Sequence, residues 1–403
     1  GLTVTDTDWK HPLCEAFIDG AESVGIPRNK DYNGAVQEGS SYTQRTINKR
    51  RRVSSARAFL TPAKSRPNLK IITSAHATSL IMDGKKATGV RYIKGGRGGS
   101  PKEIGARREV ILSGGVINSP QLLQLSGIGD PELLNDLNIP VVHTLKGVGS
   151  NLRDHYTPRF TARVKNATSI NQLAQGPRVL VEGMKWLMKK PSVLSLSATA
   201  VYAFWRSDPA IDNADLQLTF MPASYTSGRQ AILDKFPGMT LASWQQRPES
   251  TGFVKAISSD PFDKPIIQPN YLEHETDRRV LLAGMKIARS IMMSAPMSPF
   301  FDGEDFPGPD VQTDDELMGA AKERGTTTFH PMGSCRMGPI TDPSTVVDDQ
   351  LRVHGIEGLR VADASIMPTM PTANLNAATI MIGEKASDMI LDNQPLEAVS
   401  SRL

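Results

Sequence analysis

Two short apolar strands stand about 250 residues apart in this chain, and each runs into a helix. The first, Arg108-Glu109-Val110-Ile111-Leu112-Ser113, ends in Gly114-Gly115. Asn118-Ser119-Pro120 then caps a helix predicted over Gln121–Ser126 and stopped at Gly127. The second, Gly358–Asp363, leads through a loop with Pro368, Pro371 and Asn374 into a long helix from about Asn376 to Leu391. A strand ending in Asp, then a loop and a helix, is how an α/β fold presents a nucleotide site. A helix start near Asn376 offers unpaired N–H groups and partial positive charge, which suit a phosphate or an anionic heterocycle; plain capping by Asn is the ordinary alternative.

The stretch between them has a different texture. Residues 156–328 hold every tryptophan except Trp9, together with many methionines and prolines. Helices are predicted at 177–189 and 273–294 and extended segments at 215–223 and 252–257, which reads as a separate module. Toward the N-terminus, Leu13, Phe17, Ala21 and Val24 recur at helical spacing before Gly25 and Pro27. Leu69–Thr73, Thr78–Met82 and Ala87–Ile93 read as strands, with Asp83-Gly84 as a hairpin turn, and Gly95–Pro101 reads as a flexible loop.

Composition removes several classes. With 39% hydrophobic and 22% charged residues over 403 positions, the chain is neither disordered nor a coiled coil, and two or three domains fit its length. No apolar run is long enough to span a bilayer. Cys14 and Cys335 are too few for a disulfide or cysteine metal framework, and the seven histidines are too dispersed for metal ligation, so no metal is expected. The net charge, 46 − 42 = +4, gives no case for nucleic acid. One dense basic run, Lys49-Arg50-Arg51-Arg52, lacks interleaved aromatics and reads as a solvated face or one side of an anion site. No P-loop, H-E-x-x-H, C-x-x-C, G-x-S-x-G or G-x-G-x-x-G motif occurs.

Chemistry concentrates in Phe329-His330-Pro331-Met332-Gly333-Ser334-Cys335-Arg336-Met337-Gly338. A histidine titrates near neutral pH and suits proton transfer from an alcohol or acid, although a buried, satisfied histidine is the usual case. Cys335 is a nucleophile by residue type, but no second feature supports an activated thiol.

Several segments in order resemble the glucose–methanol–choline (GMC) family of flavin-dependent oxidoreductases. These are Gly115–Gly129, Gly147–His155, His330–Gly338, Asp363-Ala364-Ser365 and Asn376–Lys385, and the likeness spans essentially the whole chain. It implies an α/β (α+β mixed) architecture, an FAD-binding domain interleaved with an antiparallel-sheet substrate domain. The expected division is 1–53 as substrate-domain or connecting segment, 54–155 as FAD-binding, 156–328 as substrate-binding, and 329–403 as FAD-binding with the active-site segment. The family's G-x-G-x-x-G start is missing, so the resemblance implies an absent N-terminal βαβ unit, supplied by a separate chain or lost from a fragment.

The implied activity is FAD-dependent oxidation of an alcohol to a carbonyl, with hydride passing to flavin N5. His330 matches the family's base, and Asn376 the position where members carry His or Asn, as in the choline-type branch. Asn118, Ser119, Asp363, Ala364, Asn376, Ala377 and Thr379 are the implied cofactor-side residues. The substrate is a primary or activated alcohol, with Trp205, Phe220 and Trp244 as candidate lining for a quaternary ammonium, although aromatics there are more often core. The acceptor is oxygen, a quinone or a carrier, with the absence of a secretion signal favouring a dehydrogenase, and the expected localisation is cytoplasmic. The rival readings are a flavin-containing hydroxynitrile lyase and an inactive, cofactor-free fragment.

Overall fold

The computed structural model describes residues 1–226 and 232–394, so the parts of the expected 156–328 and 329–403 segments that fall on 227–231 and 395–403 lie outside the described residues. The chain divides into two compact units, each assembled from three stretches. Residues 1–69, 155–247 and 272–328 form the first, and 70–154, 248–271 and 329 onward the second. Two expected boundaries move: 54–69 joins the first unit rather than the second, and 248–271 leaves the 156–328 module for the second unit.

The first unit is built on a six-stranded antiparallel sheet. Its order is Phe301–Phe306, Arg159–Val164, Gly238–Gln245, Leu216–Met221, Val201–Trp205, Gly39–Tyr42. Every residue of the Gly238–Gln245 strand is buried, as a central strand covered on both faces requires. The helix Glu275–Met292 packs on this strand and its neighbour through Val280, Leu281, Met285 and Ala288, an i, i+4 apolar stripe. The helix Pro12–Ser23, capped by His11 Nδ1 accepting from the Leu13 N–H at 3.2 Å, also meets the sheet. Its Phe17 stacks on Phe220 with ring centroids 4.7 Å apart.

The second unit holds an antiparallel meander, Ala75–Asp83, Lys86–Lys94 and Pro101–Gly105, and a parallel pair, Val110–Leu112 with Leu359–Val361. The hairpin turn is Gly84-Lys85, one residue later than expected, because Asp83 already pairs with Lys86 and Gly84 takes the positive φ of +54°. The expected strand Leu69–Thr73 does not form. Its residues have no ladder partner among the described residues, and β structure exists only where a neighbour accepts and donates the hydrogen bonds. The core of this unit gathers Leu112, Leu123, Ile128, Val346, Val347 and Val361.

The Phe17–Phe220 stack sits where helix and sheet meet in the first unit, with both side chains wholly buried. Phe220→Ala is expected to cost about 3–5 kcal/mol of unfolding free energy in a denaturant titration. A loss under about 1 kcal/mol would mean that this contact does not hold the helix to the sheet.

Candidate active site

The site grows from the carboxyl ends of the parallel pair in the second unit. Leu359 lies opposite Val110 and Val361 opposite Leu112, so both strands finish at the same level, one at Ser113-Gly114 and the other at Asp363. Asp363 is buried, and its carboxylate takes three hydrogen bonds. Oδ1 accepts from the Ser365 N–H at 2.8 Å, and Oδ2 accepts from the Gly115 N–H at 2.9 Å and from Ser119 Oγ at 2.6 Å. Ser119 Oγ in turn accepts from the Gly114 N–H at 3.0 Å. Gly115, at φ +81°, allows the chain to turn back toward that carboxylate.

These bonds shift the helix start. It runs Gly115–Leu125 rather than Gln121–Ser126, so Asn118 and Ser119 lie inside it and do not cap it. Asp363, from outside the helix, takes the Gly115 N–H, and Ser119, one turn in, takes the Gly114 N–H, which Asn118-Ser119-Pro120 did not signal. Pro120 falls within the helix and has no N–H to give the Val116 carbonyl four residues earlier. Ser334 Oγ donates to that carbonyl instead, at 2.6 Å. The motif helix is thereby tied to the His330–Gly338 segment.

That segment is strapped on two sides. Met332 exchanges backbone hydrogen bonds with Arg153, at 2.9 and 3.1 Å, and the Gly333, Cys335 and Met337 N–H groups donate to the carbonyls of Ala364, Ser365 and Ile366. Gly333 has φ +88°, and a Cβ there would stand 2.6 Å from the Asn151 carbonyl oxygen. Cys335 is fully buried, and burial first, then the Asp363 carboxylate, pushes its thiol far up, so it stays protonated and is no nucleophile.

His330 stands at the mouth of this strap. Its backbone N–H donates to Asp154 Oδ1 at 2.8 Å, and Tyr271 Oη donates to Asp154 Oδ2 at 2.5 Å. Its ring Nε2 meets Asn374 Nδ2 at 3.1 Å. An amide nitrogen only donates, so this contact needs an accepting Nε2, the neutral ring with its proton on Nδ1. Burial lowers the His330 pKa below its ordinary 6.5, against the opposing pull of Asp154.

Asn374, not Asn376, is the partner that the structure brings to His330. It is the N-cap of the helix Leu375–Leu391, in extended conformation, and its side chain makes no capping bond. Asn376 lies in the first helical turn, two residues and about 200° further round the axis, and is exposed. Ala377 is exposed beside it, whereas Thr379 Oγ1 donates to the Leu375 carbonyl at 2.8 Å. Ala364 lies in the short helical turn after Asp363, its carbonyl held by Gly333. Trp205, Phe220 and Trp244 form no cage: Phe220 and Trp244 are buried in the sheet of the first unit. Sequence reasoning gave no role to Asp154 and Tyr271. Asp154 stands in the Gly147–His155 motif, but no motif contains Tyr271.

The residues present fit part of a dinucleotide cofactor. Ser113 and Gly114 are exposed at the strand end, between buried Leu112 and Val116, and with Asn118 and Ser119 they line a cavity of about 410 Å³ that also touches His76 and Pro261. Parallel strands opening at their carboxyl ends onto a cavity are the expected setting for such a group. The first turn of the Leu375–Leu391 helix adds N–H groups that the Asn374 side chain does not cap.

Two family models, the N-terminal and C-terminal parts of the GMC oxidoreductases, match residues 1–157 and 248–383. The human mitochondrial choline dehydrogenase is 39% identical over 390 residues, covering 96% of this chain and 65% of that protein. The oxygen-dependent choline dehydrogenase of Chromohalobacter salexigens is 40% identical over 97% of this chain and 69% of its own length. The alcohol dehydrogenase [acceptor] of Pseudomonas putida is 39% identical over 97% and 70%. Pyridoxine 4-oxidase from Mesorbium loti superposes with a TM-score of 0.84 at 26% identity, over 98% of this chain and 72% of that one. The chain belongs to the GMC oxidoreductase family, whose members are FAD-dependent alcohol dehydrogenases and oxidases. It spans about two thirds of the length of the curated relatives it matches. The N-terminal model matches from residue 1, which lends no support to the expected absence of an N-terminal unit.

Because Asp154 is the charge that favours protonated His330, Asp154→Asn is expected to move the His330 ring titration to lower pH, as followed by NMR of the imidazole protons. A shift to higher pH would contradict this electrostatic account.

Proposed function

We infer that this chain carries the proton-transfer site for oxidation of a small alcohol to the corresponding carbonyl, with FAD as cofactor. The observation that carries this reading is the His330 Nε2–Asn374 Nδ2 contact at 3.1 Å, at the N-terminus of the Leu375–Leu391 helix. The second unit is read as the FAD-binding domain and the first as the substrate domain. When bound, FAD supplies the acceptor for hydride.

The chain's own residues do the rest. Neutral His330 accepts the hydroxyl proton at Nε2, the atom that Asn374 now occupies. The alcohol oxygen replaces that contact, and the freed Asn374 amide donates to it and fixes its orientation. Asp154 holds the His330 backbone in place and favours the imidazolium that forms. The helix N-terminus favours negative charge developing nearby. Asp363, Ser113, Gly114 and Asn118 are read as the cofactor-side set, with Ser119 acting through Asp363. The relatives named for choline and for alcohols support a primary alcohol as the substrate class.

In the FAD-loaded protein, His330→Ala is expected to slow alcohol-dependent bleaching of the flavin bands about 10²–10⁴-fold. Asn374→Ala is expected to slow it by at least about tenfold, while Asn376→Ala stays within about twofold. Near-normal reduction in His330→Ala, or a larger loss in Asn376→Ala than in Asn374→Ala, overturns these roles.

The base works unprotonated, and its folded pKa is lowered, so the rate is expected to rise with pH to a plateau, with its midpoint below pH 6.5. A stopped-flow profile with its midpoint above about pH 7 would place the essential group elsewhere.

A further inference from the structure

The helix Arg178–Leu187 in the first unit is folded inside out. Its buried side chain is an acid, Glu182. Oε1 pairs with Lys185 Nζ at 2.6 Å, Oε2 accepts from the Val193 N–H at 3.1 Å, and the Glu182 carbonyl accepts from Ser192 Oγ at 3.0 Å. Leu180, Met184 and Leu187 recur at i, i+4, i+7, with Val181 and Met188 beside them, and all five face solvent; Leu180 and Leu187 are 70% and 69% exposed. Leu194, in the turn after the helix, is exposed as well. A contiguous apolar face of this kind on a folded unit marks an interaction surface.

Charge identifies the occupant. Arg178, Lys185, Lys189 and Lys190 lie on or just after the helix, and from Val164 to Ser207 the only acidic residue is the buried Glu182. The hairpin Ile47–Asn48/Arg51–Arg52 is fastened to the same helix. Trp186 Nε1 donates to the Arg50 carbonyl at 3.3 Å, and the Arg50 guanidinium lies 4.7 Å from the Trp186 ring centroid. Lys49, Arg51 and Arg52 are exposed there, and no acidic residue occurs from Gly39 to Leu69. The nearest exposed acids, Asp6 and Asp8, lie by the strand before the hairpin, where Asp8 is paired with Arg45. Apolar side chains flanked by an excess of cations are complementary to a surface that is negative outside and apolar beneath. At ten residues the helix is too short to cross a bilayer, and no described helix is long and apolar enough to do so.

We propose that the Arg178–Leu187 helix and the Lys49–Arg52 hairpin together form a docking face for an anionic lipid bilayer. The apolar side chains enter the headgroup boundary, and the flanking lysines and arginines meet lipid phosphates. This assigns the basic run a role as one half of a surface whose other half is distant in sequence.

The test is co-sedimentation of the full chain with vesicles of phosphatidylcholine alone or with about 30 mol % phosphatidylglycerol. Binding is expected to be at least about tenfold tighter to the anionic vesicles and to weaken in about 0.5 M salt. The triple variant L180Q/M184Q/L187Q and the charge variant R51E/R52E should each lose at least about tenfold in partitioning, with thermal unfolding unchanged because all five positions are exposed. Equal binding to both vesicle types, no binding, or undiminished binding by either variant overturns the proposal. So does a wild-type dimer in sedimentation equilibrium that the triple variant dissolves without any lipid effect, since a second copy would then cover the face.

Discussion

The candidate site depends on one buried carboxylate. Asp363 ends one parallel strand and reaches across to the turn that ends the other, so the two strands cannot slip without breaking its bonds to Gly115 and Ser119. Burying a charge costs far more than burying a neutral polar group, and the three donors around Asp363 offset that cost. The bonds also set where the Gly115–Leu125 helix begins. Through Pro120 and the orphaned Val116 carbonyl, they set where Ser334, and with it the His330 segment, is held. A strand end, a helix start and a loop are thus positioned by one group and its immediate consequences.

Much of this was legible in sequence because its signals are local. The strands around Val110 and Leu359, the helices near 178, 275 and 375, and the His330 and Asp363 motifs all follow from periodicity, punctuation or resemblance. What was not legible depends on distant partners. Asn118-Ser119-Pro120 has the composition of a cap, but the true start of that helix is satisfied by Asp363, far away in the chain. Leu69–Thr73 has strand composition and no neighbour. Asn374 and Asn376 are indistinguishable by residue type. One lies before the helix with its amide on the His330 ring, and the other is exposed in the first turn, about 200° further round the axis.

The His330 environment shows how burial and a neighbouring charge divide the work. Burial alone would keep the imidazole neutral but would oppose the cation that proton transfer creates. Asp154 counters part of that cost while bonding the His330 backbone N–H, and Tyr271 occupies its other oxygen. The carboxylate therefore holds the His330 backbone and favours the protonated ring. A helix N-cap residue that forgoes capping gives up a local stabilisation of about 1 kcal/mol and places its amide on the His330 ring instead; in the proposed reaction that amide is the donor for the alcohol oxygen.

The inverted helix makes the opposite exchange. The orientation of an amphipathic helix is ordinarily set by burial of its apolar stripe, yet here Glu182 anchors the polar side inward through Lys185, Ser192 and Val193. Rotating the helix to bury Leu180, Met184 and Leu187 would break those bonds and strand a carboxylate, so the network holds the apolar face outward. Trp186 adds a second restraint, because turning it away would release the Arg50 loop. Leaving that much apolar surface in water works against folding unless the face has an occupant. The cations around it favour one that carries negative charge above an apolar layer, which a second copy of the same basic face would not supply.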